Sequence, residues 1–278
     1  MHYIMSDMLF FEISFFVLGA IIGSFLNVCI YRMPRDESVI RPGSKCPACG
    51  AAIRFYDNIP LVSYLVLRGR CRKCGKAISI RYVMVELLMA VLFTALFRLF
   101  GLSVELAAAL VFASILAVIS FIDLELLIIP DALSLGGLVL GLLISFFRSP
   151  PLFRQSFLIP FGSLPAFLQS VSGVLLGGGI LYVIAKIYRI ARKTEGMGGG
   201  DIKLLAMIGA FCGITGVVFA LVSGSIIGTL VGLPLMFIKR QGTKYAIPFG
   251  PFLSLGALLY VTIGNRVIPL VFATIYGE

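Results

Sequence analysis

Long apolar segments alternate with short polar connections along most of this 278-residue chain. A membrane-spanning helix needs roughly 20 mostly apolar residues, and the pattern predicts about eight such helices. The predicted spans cover residues 9–31, 83–100, 104–122, 132–147, 166–188, 202–214, 217–238 and 251–276. Only two glycines, Gly213 and Gly216, mark the boundary between the sixth and seventh spans. The pattern therefore predicts an all-α polytopic membrane protein, with one long polar segment at 32–82.

Composition and charge support a membrane protein and give its orientation. Hydrophobic residues make up 59% of the chain and charged residues 13%, which excludes a water-soluble globule of this length. Of the 23 Lys and Arg residues, 19 lie in the loops 32–82, 186–203 and 239–244, which alternating spans place on one face. The positive-inside rule makes that face cytoplasmic, with both termini outside. The net charge of +10 thus indicates orientation, and no nucleic-acid partner is expected.

Four of the six cysteines lie in the polar segment as two Cys-x-x-Cys pairs, Cys46/Cys49 and Cys71/Cys74, each followed by glycine. In each pair a tight turn directs two thiolates at one ion, and two pairs complete a tetrahedral site. This spacing is typical of zinc ribbons. We therefore expect a small cytoplasmic loop domain with a structural zinc ion, since four thiolates leave no open position for catalysis. Two disulfides or four idle thiols are the alternatives, and a cytoplasmic location disfavours disulfides.

Carboxylates inside or at the edge of a membrane are costly, which makes them candidates for function. Asp123, Glu125 and Asp131 lie in a strongly apolar stretch at a predicted helix end. Asp201 follows a glycine run and lies at the start of the sixth span. Asp131 and Asp201 have an alternative role as helix N-caps, and Glu125 has one at the lipid headgroups. Asp123 has no such alternative, because apolar residues flank it.

A pair formed by Asp123 and Asp201 would provide acid–base chemistry. Two carboxyls held close together cannot both ionise, so one keeps its proton while the other stays charged. The charged one can take a proton from water while the neutral one hydrogen bonds to a scissile carbonyl, as in aspartic proteases. The neighbouring glycines would let a substrate backbone approach closely. Lys203 would either bias the ionisation of Asp201 or extend to the membrane interface.

Short motifs follow one another in order over nearly the whole chain. In the amino-terminal part they are Gly23-Ser24-Phe25-Leu26-Asn27-Val28 with Arg32 and Pro34, Arg41-Pro42-Gly43-Ser44-Lys45-Cys46-Pro47-Ala48-Cys49, Asp57-Asn58-Ile59-Pro60, Arg68-Gly69-Arg70-Cys71, and Ile78-Ser79-Ile80-Arg81-Tyr82 with Glu86. In the remainder they are Ile122-Asp123 with Pro130-Asp131, Gly198-Gly199-Gly200-Asp201-Ile202-Lys203, and Pro248-Phe249-Gly250-Pro251-Phe252. Together they resemble the type IV prepilin peptidases, bifunctional leader peptidase/N-methyltransferases of the GxGD class of intramembrane aspartic proteases. The chain departs from the family at Val83, where members often have Pro, which is a local difference at a helix start.

The resemblance implies that Asp123 and Asp201 are the catalytic pair. It implies cleavage after a glycine, just before the hydrophobic N-terminal stretch of a prepilin or pseudopilin. It also implies methylation of the new N-terminal residue from S-adenosylmethionine, a step that requires the cysteine region. The chain then divides into a first transmembrane helix (1–31), a zinc-binding region associated with methyl transfer (32–82) and a transmembrane aspartic peptidase core (83–278). The residues predicted to support the catalytic site are Gly198, Gly200, Lys203 and Asp131.

The residues that would bind S-adenosylmethionine are less evident, because no Rossmann-type glycine turn follows a strand. Asn27, Arg32 and Glu86 are polar residues near the membrane-facing edges of the zinc loop and are the candidates. Their alternative role is that of interface anchors.

The resemblance also implies a location and partners. We expect a multi-pass protein of the bacterial cytoplasmic (inner) membrane, with the active site and the zinc loop on the cytoplasmic side. Its partners would be a prepilin or pseudopilin and membrane lipid, and the sequence gives no oligomeric state. Two other functions are left open: a peptidase without methyltransferase activity, and a transporter or channel whose Asp123 and Asp201 relay protons or cations.

Overall fold

The computed structural model describes residues 2–147, 165–193, 198–239 and 247–276. Within these ranges the chain is almost entirely helical, and its only β pairing is two isolated bridges. The helices are α1 (His2–Arg32), α2 (Val62–Val66), α3 (Ile80–Phe100), α4 (Val104–Leu126), α5 (Asp131–Phe147), α6 (Ala166–Arg192), α7 (Gly199–Lys239) and α8 (Gly250–Tyr276). Two 3₁₀ turns, Met33–Arg35 and Phe55–Asp57, lie between α1 and α3. The predicted all-α class is confirmed.

The predicted apolar spans all fall within helices. Among the described residues, five helices (α1, α3, α4, α6 and α7) are long and apolar enough to cross a membrane, while α5 and the Gly250–Gly264 part of α8 are shorter apolar helices. Helix α7 contains both the sixth and the seventh predicted spans, and its 41 residues would measure about 60 Å if straight, twice the hydrocarbon thickness. Gly213, with φ 65° and ψ −168°, breaks it into two helices. The boundary between these spans therefore lies at Gly213 rather than at Gly216.

The chain forms two compact units, Met1–Val118 and Ile119–Glu278. The division falls within α4, so the two units share this helix. The sequence-based division into 1–31, 32–82 and 83–278 stays a prediction.

The first unit is built on the contact between α1 and α3. Gly19 and Gly23, four residues apart on α1, face α3 so closely that a Cβ at either would lie 2.7 Å from a backbone Cα, that of Ala90 or Glu86. Small residues at this spacing allow membrane helices to approach each other closely. At the other end of the contact, Phe15 stacks on Phe97 with ring centroids 4.7 Å apart.

The second unit is built around α7, which packs against α5, α6 and α8. Gly173 on α6 and Gly209 on α7 lie against each other's carbonyl oxygens, leaving no room for a side chain at either position. A Cβ at Gly173 would also lie 2.9 Å from the Cα of Gly213, so α6 packs directly on the break in α7. Beyond the break, the Thr215 and Tyr260 hydroxyls are hydrogen bonded at 2.7 Å, linking α7 to α8.

Candidate active site and metal centre

Asp123 lies one turn before the end of α4 and is 5% exposed. Its Oδ2 accepts a hydrogen bond of 3.0 Å from the backbone N–H of Gly250, the first residue of α8. A buried carboxylate needs such a partner, because burying an unpaired charge is costly. The start of α8 therefore fixes one oxygen of Asp123.

The local sequence explains why α8 presents this one N–H. The first N–H groups of a helix have no partner within it. The Phe249 carbonyl accepts the N–H groups of Phe252 and Leu253, both at 3.1 Å, and Pro251 has no N–H. The Gly250 N–H is thus left to donate outside the helix, towards Asp123.

The glycine run before Asp201 lies close to the Asp123 carboxylate, with Ile129 in contact with both regions. A Cβ at Gly200 would lie 2.8 Å from the Ile129 Cβ, and a Cβ at Gly250 would lie 3.2 Å from the Ile129 Cδ1. Gly200 and Gly250 therefore pack against the same side chain. Asp201 follows Gly200 in the first turn of α7, and its carboxylate interacts electrostatically with that of Asp123. The fold thus brings together two acids that are 78 positions apart in the chain.

The predicted supporting residues have varied environments. Gly200 packs tightly on Ile129, whereas Gly198 is exposed and open. The two residues before Gly198 in the chain, Gly196 and Met197, lie outside the described residues. Lys203 forms a 2.6 Å ion pair with Asp131, a partner that neither of its two predicted roles included. Both side chains are substantially exposed, at 37% and 60%.

The alternative role as a helix N-cap is wrong for both Asp131 and Asp201. The Pro130 carbonyl accepts the N–H of Ser134 at 3.1 Å, which makes Pro130 the N-cap of α5 and Asp131 its first helical residue. Helix α7 begins at Gly199, so Asp201 is already inside the first turn. Neither Asp131 nor Asp201 therefore occupies the N-cap position.

In the first unit, the four predicted zinc ligands form one cluster. The sulfur atoms of Cys46, Cys49, Cys71 and Cys74 all lie within 4.8 Å of one another, and those of Cys46 and Cys74 are 3.9 Å apart. A tetrahedral ion with Zn–S bonds of about 2.3 Å separates its sulfurs by roughly 3.8 Å. A disulfide would need about 2.05 Å, and all six cysteines are free. The disulfide alternative is therefore wrong, and the cluster fits zinc.

The two cysteine pairs adopt the same turn. The Cys46 N–H donates to the carbonyl of Ala51 and the Gly50 N–H donates to that of Cys46, both at 2.9 Å, and the second pair repeats these bonds. Gly50 and Gly75 have φ of 69° and 70°, with nothing within 4 Å of a Cβ at either position. The left-handed backbone, and not lack of space, therefore requires glycine after each pair.

The electrostatics of the four thiols also favour a cation. The N–H groups of Cys74 and Lys73 lower the pKa of Cys71 to about 6, which favours the thiolate form of this sulfur. The Lys76 N–H acts to lower the pKa of Cys74 as well, but desolvation and the neighbouring thiols raise it to about 11. The neighbouring thiols thus make ionisation of Cys74 less favourable. A divalent metal ion bound to the four sulfurs would offset this effect.

The three residues predicted to bind S-adenosylmethionine hold the first unit together. The Asn27 side-chain amide donates to the carbonyls of Gly23 at 3.2 Å and Tyr82 at 3.0 Å, which ties α1 to α3. The Oδ1 of Asn27 is buried and has no partner among the described residues. Its role towards a cofactor stays a prediction.

Arg32 and Glu86 anchor the loops on either side of the first cysteine pair. The Arg32 guanidinium donates to the carbonyls of Ser38 at 2.9 Å and Gly43 at 3.2 Å. The Glu86 carboxylate accepts the N–H of Leu61 at 2.8 Å. Both side chains are buried, so their visible role is to fix the positions of these loops.

Sequence reasoning missed Gly250 and Ile129 as parts of the aspartate site. The Pro248–Phe252 motif was a usable signal, because a glycine followed by proline at the start of an apolar helix leaves one N–H free to donate. Ile129 gave no signal, since it is one apolar residue among many.

Two family models match this chain in succession. Residues 17–100 match the bacterial peptidase A24 N-terminal domain, and residues 110–233 match the type IV leader peptidase family. No solved structure gives a significant match.

Curated relatives are similar over most of the chain. The prepilin leader peptidase/N-methyltransferase of Myxococcus xanthus is 41% identical over 84% of this chain and 66% of that protein, just under two thirds of its length. The proteins of the same name from Pseudomonas putida and Pseudomonas aeruginosa are 33% and 31% identical. The match to the Pseudomonas putida protein covers 90% of this chain and 90% of that protein. The match to the Pseudomonas aeruginosa protein covers 95% of this chain and 94% of that protein.

Proposed function

Because this chain belongs to the type IV leader peptidase family, we propose that it is a membrane aspartic endopeptidase and N-methyltransferase. It removes the leader peptide of a type IV prepilin or pseudopilin after a glycine. It then methylates the new N-terminal residue with S-adenosylmethionine. The observation that carries the peptidase proposal is the convergence of Asp123 and Asp201 beside the start of α8.

In this proposal the two aspartates have different roles. Asp123 carries the negative charge, because the Gly250 N–H and the positive end of α8 stabilise charge on its Oδ2. Asp201 keeps its proton, since two adjacent carboxyls do not both ionise. Asp123 is then the general base and Asp201 the general acid.

Cleavage then follows the aspartic protease pattern. A water molecule transfers a proton to Asp123 as its oxygen attacks the scissile carbonyl carbon, while Asp201 transfers its proton to the carbonyl oxygen. The tetrahedral intermediate collapses with rupture of the C–N bond, and the proton held by Asp123 passes to the leaving amine. The carbonyl re-forms and returns the other proton to Asp201. The open backbone at Gly198 gives the substrate chain room beside these carboxyls.

The methyl step is assigned to the first unit. Zinc held by Cys46, Cys49, Cys71 and Cys74 has no free coordination position and acts as a structural ion. S-adenosylmethionine, when bound, would supply the methyl group: transfer from its sulfur to the new N-terminal amine would release one proton and leave S-adenosylhomocysteine.

We further propose the bacterial cytoplasmic membrane as the location, with the zinc loop and the aspartates on its cytoplasmic side. The charge distribution supports this orientation, because 19 of the 23 cations lie in loops that alternation places on one face. Membrane lipid and the substrate are the partners in this proposal.

Substitution of the two aspartates tests the peptidase. Asp123→Asn and Asp201→Asn should each abolish cleavage of a prepilin in membranes while the protein still accumulates. Glu125→Gln is the matched control, because Glu125 is an exposed acid two residues from Asp123 on the same helix. Either asparagine variant cleaving at the wild-type rate would refute the catalytic pair.

Mass spectrometry of the processed N-terminus tests the second activity. The product should end at the residue after glycine and carry the mass of one added methyl group. A correctly cut product without that methyl group would reduce the function to a peptidase.

A further inference from the structure

The first compact unit contains a cavity of about 790 Å³. One wall is the face of α1 from Phe16 to Arg32, and the other is formed by the segments 39–44 and 58–62. Small-molecule sites usually measure about 300–1,000 Å³. The cavity is therefore large enough for a nucleoside derivative, and the proposed cleavage does not use it.

The two walls differ in chemistry. The α1 wall is apolar except for Ser24 and Arg32, and it includes Phe16 and Phe25, the latter 47% exposed. The loop wall includes Ser44, which is half-buried, and Asn58, which is exposed. The side chains of both make no hydrogen bond within the described part of the chain. The cavity thus offers an aromatic surface opposite unused polar groups.

We propose that this cavity binds S-adenosylmethionine, an inference that rests on the proposed methyltransferase function. The ligand combines a flat aromatic base, which packs on apolar and aromatic surfaces, with ribose and amino-acid groups that hydrogen bond. Both walls would then be used. An acyl chain would form no hydrogen bond with Ser44 or Asn58, and a free phosphate would make no use of the α1 wall.

A strained residue in the loop wall supports a binding role. Leu61 lines the cavity with φ 60° and ψ −49°, a conformation that bulky residues rarely adopt. Its N–H donates to the buried Glu86 carboxylate at 2.8 Å, which holds the strained backbone in place. Such strain concentrates at ligand sites, where the surrounding structure maintains it. Glu86 is therefore a positioning residue, which shapes the cavity through Leu61.

The zinc module holds the same loop wall. Segment 39–44 runs directly into Cys46, and segment 58–62 lies between the two cysteine pairs. The Ile53 N–H donates to the Ser44 carbonyl at 2.9 Å, which attaches the wall to the first cysteine turn. A closed zinc site would thus support methyl transfer by shaping the cavity, without contact between the metal and the methyl donor.

Equilibrium binding of tritiated S-adenosylmethionine to the full-length protein in nanodiscs tests this site. The double variant Ser44→Ala/Asn58→Ala should bind about tenfold more weakly or worse, as the loss of two hydrogen bonds implies. Val28→Trp should fill the cavity from α1 and abolish measurable binding, because Val28 lines the cavity. Ile13→Trp is the matched control on the same helix, since Ile13 is 56% exposed and lies outside the cavity.

Glu86 provides an independent check. Glu86→Gln keeps an acceptor for the Leu61 N–H and should retain binding, whereas Glu86→Leu should lose it at unchanged zinc content. Wild-type affinity in both the double variant and Val28→Trp would overturn the cavity assignment while leaving the proposed function intact. A wild-type protein that neither binds the donor nor methylates its product would refute the methyl step itself, and the cavity assignment with it.

Discussion

Substitution of Gly250 by alanine tests whether the start of α8 positions the carboxyl of Asp123, the proposed general base. An added Cβ would lie 2.7 Å from the Asp123 Oδ2, 3.3 Å from its Cγ and 3.2 Å from the Ile129 Cδ1. The first of these distances is well below van der Waals contact, so the carboxyl or the start of α8 must move. Either movement lengthens the 3.0 Å hydrogen bond between the Gly250 N–H and Asp123.

The size of the effect follows from that geometry. The carboxyl must retreat by about 0.5 Å, which is roughly the whole tolerance of a catalytic constellation. A hydrogen bond to a charged group contributes about 1.5–3 kcal/mol, which corresponds to a rate change of about 10- to 150-fold. We expect kcat for prepilin cleavage to fall by that factor with KM nearly unchanged, because the substitution displaces the base and not the bound substrate.

The assay is cleavage of a purified prepilin by the protein in nanodiscs, at several substrate concentrations. Gly136→Ala on α5 is the matched control, since nothing lies within 4 Å of a Cβ at that position. Zinc content and thermal unfolding show whether both variants are folded. A Gly250→Ala protein with wild-type kcat would refute the positioning role of α8.

Three further changes have distinct expected results. Cys46→Ser should release zinc, measured by metal analysis, and should reduce methylation more than cleavage, because the cluster lies in the first compact unit. Lys203→Gln should lower stability by less than about 1 kcal/mol in thermal unfolding, because its pair with Asp131 is exposed; a double-mutant cycle with Asp131→Asn checks this. Gly173→Ala should destabilise the protein by about 1–3 kcal/mol through overpacking, whereas Gly179→Ala, with nothing nearby, should not.

The helical spans could be predicted because a bilayer imposes a simple rule on sequence. Each crossing needs a long apolar run, and the polar segments between the runs must lie outside the hydrocarbon layer. The break in α7 was also visible, since a glycine between two apolar runs is the residue that tolerates φ of 65°. The sequence did not decide whether the break lies at Gly213 or at Gly216. The structure places it at Gly213, where α6 packs on the break.

The cysteine cluster could likewise be predicted from spacing alone. Each Cys-x-x-Cys-Gly turn is a local structure, so its two sulfurs are placed by residues within the turn. Only the meeting of the two turns is a tertiary event, and the affinity of four thiolates for one metal ion favours it. The Lys203 partner was missed because long side chains select their contacts from whatever the fold brings near, here Asp131 of α5.

By itself, the sequence determined the membrane class, the helical segments and the four clustered cysteines, because local pattern or spacing encodes each of them. It also marked Asp123 and Asp201 as candidates, since carboxylates in apolar surroundings are costly. The tertiary structure decided which atoms meet: the Gly250 N–H at Asp123, Ile129 between the glycines, and the cavity beside α1. These contacts join residues far apart in the chain, and side-chain packing selects them without leaving a periodic signal. The physical reason is that hydrophobic period and ligand spacing are local properties, whereas the geometry of a site depends on how separate helices fit together.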